Sequence, residues 1–102
     1  MRLGEIARVV RSKNAGPFLL TFDVLFADLA TFERMRAGGR LTRATVAAAY
    51  NVSPNEILEF DWHPFACAVK FSLRRPIPSG APQDTDVYGA QQHVPLMELE
   101  VG

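Results

Sequence analysis

Four stretches of this chain alternate apolar and polar side chains with a period of two, and that rhythm constrains the fold more than any other feature. Between positions 18 and 26, Leu20, Phe22, Val24 and Phe26 alternate with Thr21, Asp23 and Leu25. Leu58, Phe60 and Trp62 alternate with Glu59 and Asp61; Cys67, Val69, Phe71 and Leu73 share one phase; Met97, Leu99 and Val101 alternate with Leu96, Glu98 and Glu100. Successive strand side chains point to opposite faces, so each run suits a strand with one face in a core. The second and third runs, joined through His63-Pro64, form an antiparallel pair. The apolar phases place Leu20, Phe22, Val24, Leu58, Phe60, Val69, Phe71, Leu73, Met97 and Leu99 in one core.

Helical spacing occurs elsewhere. Leu3, Ile6, Ala7 and Val10 predict a helix at the start, although Ile6 and Val9-Val10 would also suit an extended chain. Asp28 caps a short helix carrying Leu29, Phe32, Met35 and Arg36, which Gly38-Gly39 ends. Thr42 caps a second, over residues 43–50, whose alanines favour helix, and Asn51 terminates it. Ser53-Pro54-Asn55-Glu56 has the form of a capping box and predicts one further turn. Residues 75–92 hold three Pro, two Gly and many polar side chains without periodicity, which reads as a long loop. The fold class that follows is α+β: one domain over residues 1–102, with sheet and helix layers and about four strands.

With 102 residues, 48% of them hydrophobic and 22% charged, the chain is long enough to close a core without staples. Eleven basic and eleven acidic residues give zero formal charge, hence no field to gather nucleic acid or an anionic membrane surface, and little repulsion between copies. No run approaches the roughly twenty apolar residues that span a bilayer. A lone cysteine, Cys67, makes no internal disulfide, and Met1-Arg2-Leu3-Gly4 lacks the apolar run of a secretory signal, so the expected compartment is the cytoplasm.

Two polar segments hold most of the chemistry. Arg11, Ser12, Lys13, Asn14 and Gly16, ending at Pro17, combine cations, a hydroxyl, an amide and a flexible backbone, which suits a carboxylate or phosphate; the plainer alternative is a solvated turn. Asp84, Asp86, Tyr88, Gln91, Gln92 and His93 gather carboxylates, a phenol, amides and an imidazole, able to bind a polar ligand or move protons, or simply to satisfy one another. Their spacing matches no metal site, and no cofactor motif occurs. His63 reads as a strand-end residue without a role, and Cys67 as a small core hydrophobe. No nucleophile triad or phosphate-binding loop appears, which disfavours a stand-alone enzyme.

These segments, RSKNAGP and DTDVYGAQQH, resemble the paired signatures of the AtuA-associated small-protein family, found beside AtuA-type proteins; AtuA is the acyclic terpene utilisation protein A. LTFDVLFAD, LRRPIPSG and PLMELEV fall in the family's order, so the resemblance covers nearly the whole chain. The opening Ile6-Ala7-Arg8 followed by a polar, Gly-bearing segment is also similar to the C-terminal small domain of AtuA-like proteins. The resemblance implies a ferredoxin-like domain. It further implies a small accessory subunit of an AtuA-like large subunit, in the metabolism of acyclic or branched organic acids and perhaps of their CoA thioesters.

Three readings follow: an accessory subunit whose two polar segments form a ligand or partner site; a self-contained lyase or hydratase using His93 with Asp84 or Asp86 and Lys13 or Arg11; and a ligand-binding regulatory module. Because each polar segment precedes a predicted strand, neighbouring parallel strands would set the two side by side, Arg11 and Lys13 facing Asp84 and Asp86. Balanced charge and an apolar sheet also predict a homo-oligomer, a dimer or trimer. Sedimentation at micromolar concentration should show it, and a monomer alone would refute it.

Overall fold

The structure, a computed structural model, describes residues 1–16, 18–74 and 94–101. In chain order the elements are α1 (Leu3–Ile6), β1 (Val9–Asn14), β2 (Leu19–Leu25), α2 (Leu29–Gly38), α3 (Arg43–Ala49), β3 (Ile57–His63), β4 (Ala68–Arg74) and α4 (Val94–Met97). The four strands form one antiparallel sheet in the order β1-β2-β4-β3. Helical residues Phe32, Met35, Val46 and Ala47 join its inner side chains in the core. The α+β class and the two layers agree with expectation. Both longer helices lie in the single β2–β3 connection, so the connectivity differs from the alternating βαββαβ of a ferredoxin-like domain.

Local chemistry sets the ends of α2 and α3. Asp28 Oδ1 accepts the Thr31 N–H at 2.8 Å, which holds the Asp28 carboxyl below its usual range. Gly39, at φ 72°, closes the helix in the left-handed conformation that glycine adopts without strain. Thr42 Oγ1 accepts the Thr45 N–H at 3.2 Å at the start of α3. After α3, Asn51 turns the chain at φ 56°, and Pro54–Glu56 forms the expected turn, here 3-10.

The sheet's composition corrects two expectations. Residues read as a helix running into a polar loop instead form one helical turn and then the edge strand β1, paired with β2 from Val9↔Leu25 to Asn14↔Leu20. Ser12 and Asn14 occupy the inner phase, so no apolar alternation betrays the strand, while β-branched Val9 and Val10 favour extended backbone. At the other end, the expected last strand is absent. Val94–Met97 is helical, with Pro95 tolerated in its first turn, and the following residues zip onto the N-terminus. The Leu3 N–H donates to Leu99 O at 2.8 Å and the Val101 N–H to Met1 O at 3.0 Å, with one bridge between Arg2 and Glu100. Gly4 permits this closure: a Cβ there would lie 3.1 Å from Met97 Cβ.

A bulge corrects the phase of β3. Leu58 pairs with Ser72 but Asp61 with Lys70, so Glu59 and Phe60 share one opposing residue, Phe71. Glu59 sits at φ 53°. Ile57 therefore faces the core and Leu58 turns half out, while Phe60 and Trp62 keep the inner side. Of the other predicted core residues, Leu20, Phe22, Val24, Val69, Phe71 and Leu73 are buried and Leu99 packs at the margin, while Met97 on α4, half-buried against Gly4, lies outside the core. Cys67 also packs at the core's margin, but from the left-handed corner before β4 (φ 50°) instead of from a strand.

Across the inner face runs an aromatic stack. Phe22 and Phe71, directly opposite in β2 and β4, lie 4.9 Å apart at 14°, and Phe60 continues on β3 at 5.2 Å and 20°. Tyr50 meets Phe22 at 5.4 Å, and Phe32 meets Trp62 edge-on at 5.6 Å, so both helices of the β2–β3 connection are tied to the stack. Burial raises the Tyr50 pKa, opposed by a backbone hydrogen bond with Leu96 that links α3 to α4. Phe71→Ala removes the central ring and should cost about 3–5 kcal/mol in urea unfolding, from lost transfer energy plus the cavity. A loss below about 1 kcal/mol would show that the stack does not support the core.

Candidate functional site

The strand pairing lines up a row of charges across the outer face of the sheet. Arg11 on β1 stands opposite Asp23 on β2, Asp23 opposite Lys70 on β4, and Lys70 opposite Asp61 on β3. Arg11 Nε donates to Asp23 Oδ2 at 3.4 Å, and Lys70 Nζ lies 3.7 Å from Asp23 Oδ1. One carboxylate, with only 16% of its side chain exposed, thus holds two cations on neighbouring strands. Exposed single pairs contribute about 0–1 kcal/mol, and sharing one anion limits the side-chain ordering each pair requires.

Towards the β3–β4 turn the row borders a cleft of about 270 Å³ lined by Arg11, Asp23, Lys70 and His63 over Leu25, Ala66 and Ala68. Phe65, next in sequence to Ala66 in the 3-10 turn Pro64–Ala66, is fully exposed. Along β1 a second cleft, about 340 Å³, is lined by Arg11, Ser12, Lys13 and Asp23. Arg11 and Asp23 belong to both. Further along the sheet, Arg74 Nε pairs with Glu56 at 3.2 Å.

The first polar segment is therefore not a loop that wraps a ligand. Strand alternation sends Arg11 and Lys13 to the outer face and Ser12 and Asn14 to the inner one, leaving Gly16, at φ 131°, in the hairpin turn. Asp84, Asp86, Tyr88, Gln91, Gln92 and His93 lie outside the described residues, as does the expected loop at 75–92. The sheet is antiparallel and Val94 opens a helix, not a strand, so no pair of neighbouring parallel strands carries the two segments. Residues 3–100 match the family model described as a domain of unknown function, DUF4387. The chain belongs to that family. No curated protein and no solved structure matches it.

The outer face of this DUF4387 domain has chemistry that sequence reasoning missed. His63, without an assigned role, lines the cleft, and Asp23 and Lys70 are its electrostatic centre. The polar phase of each strand was visible; which polar residues become neighbours depends on strand order. Among the described residues no group of three His, Cys, Asp or Glu could hold a metal, and no helix is long and apolar enough to cross a membrane. Asp23→Ala leaves Arg11 and Lys70, on the strands either side of β2, without their shared anion and should cost about 1 kcal/mol in urea unfolding, against less than about 0.5 for Arg11→Ala or Lys70→Ala. Equal effects of all three substitutions would show that the row is not coupled.

Proposed function

We propose that this domain is an accessory subunit that docks on a larger protein through the outer face of its sheet. The observation that carries the reading is Phe65, a fully exposed ring next in sequence to Ala66, which lines the 270 Å³ cleft. Aromatic side chains are enriched among the residues that anchor protein interfaces, and Val9, also exposed, adds apolar surface at the same end of the sheet. Along the outer face of the four strands Arg11, Lys13 and Lys70 outnumber Asp23 and Asp61, so the complementary surface presents a carboxylate.

The partner we propose is an AtuA-like large subunit acting on acyclic or branched organic acids or their CoA thioesters. The resemblance of RSKNAGP and DTDVYGAQQH to the AtuA-associated small proteins supports that identity. Arg11 and Lys13 serve the docking face in this reading, not a site enclosed within the domain.

The test mixes the domain with the AtuA-like large protein of the same genome and measures binding by calorimetry. A complex should form, and Phe65→Ala should weaken it about tenfold or more with thermal unfolding unchanged, because the ring is exposed. No complex, or equal binding by the variant, would sink the proposal. Turnover of an organic acid by the isolated chain would favour the enzyme reading instead.

A further inference from the structure

A third cleft, about 360 Å³, lies where α2 meets the zipped chain ends, and it shares no residue with the outer sheet face. Its floor is Ile6, Met35 and Val101, and its rim carries Arg34 and Arg40. The two arginines differ from their neighbour Arg36, whose guanidinium is held by Glu33 at 2.8 Å. Neither Arg34 nor Arg40 has an ion-pair partner among the described residues, and both are exposed at the same opening. The Met1 ammonium, also at the cleft, is paired with Glu100.

Two guanidiniums without an ion-pair partner among the described residues, over an apolar floor, suit a ligand with an anionic head and a hydrocarbon tail. We infer that this cleft binds a small amphipathic monocarboxylate, its head held by Arg34 and Arg40 and its tail lying on Ile6, Met35 and Val101. Guanidinium matches carboxylate geometry in a way a point charge does not. The negative end of the α2 dipole opposes an anion here, and for that reason the inference requires both arginines. The volume falls near the lower end of small-molecule pockets, which limits the tail to a few carbons. The inference does not rest on the docking reading, since the surfaces are separate.

Calorimetric titration of the untagged domain with hexanoate, acetate, hexan-1-ol and inorganic phosphate tests it. Hexanoate should bind in the millimolar range or tighter, with the other three weaker by about tenfold, because head and tail each contribute. Arg34→Ala and Arg40→Ala should each weaken hexanoate by about fivefold or more with circular dichroism unchanged, and Arg36→Ala should have no effect. The inference is overturned by no heat from hexanoate up to about 10 mM, by equal binding of hexanol or phosphate, or by an Arg36→Ala loss matching the others.

Discussion

The stack of Phe22, Phe71 and Phe60 is the interaction on which the rest of the fold depends. Its rings come from three neighbouring strands, and Phe71 stands between the other two at centroid distances of 4.9 and 5.2 Å. Large rings bury much apolar area at a small cost in rotamer freedom, and offset or tilted contacts add to that burial. The stack also sets the helices, since Tyr50 at the end of α3 tilts against Phe22 and Phe32 of α2 meets Trp62 edge-on. The bulge at Glu59 brings Phe60 to the inner side opposite Phe71. A regular strand starting from buried Ile57 would have turned Phe60 outward.

A second constraint is the joining of the chain ends. One turn of helix at each end would be marginal alone, because a first helical turn fixes several residues for a single hydrogen bond. Here α1 and α4 meet at Gly4 and Met97, backbone bonds run between the ends in both directions, and Leu3 and Leu96 are fully buried beneath them. The arrangement creates the cleft in which Arg34 and Arg40 stand. It also ties the C-terminal residues to the helical layer instead of to the sheet.

The two layers divide the chemistry. The inner face of the sheet is mainly apolar, with Ser12 and Asn14 at its β1 edge; the outer face presents the Asp23-centred row, and Phe65 stands exposed in the β3–β4 turn. Charges at Arg11 and Lys13 on β1 and the bulge in β3 lie on the two edge strands, where such features discourage open-ended pairing with other sheets.

Local pattern alone determined much of this protein. The strand at Leu19–Leu25, the capped helices after Asp28 and Thr42, and the pair of strands either side of His63-Pro64 were legible because each is encoded by residues close in sequence. Strand β1 was not, because Ser12 and Asn14 occupy its inner phase, and only pairing with β2 makes extended backbone the outcome there. The C-terminal alternation was equally misleading: Leu96 to Val101 have a strand's rhythm, but the N-terminus takes their hydrogen bonds. Leu58 was misplaced by a bulge that one residue in a left-handed conformation creates. The outer-face site was visible only as separate polar positions. Asp23 meets Arg11 and Lys70 because β2 lies between β1 and β4, and strand order is a property of the packed sheet, reached by contacts far apart in the chain.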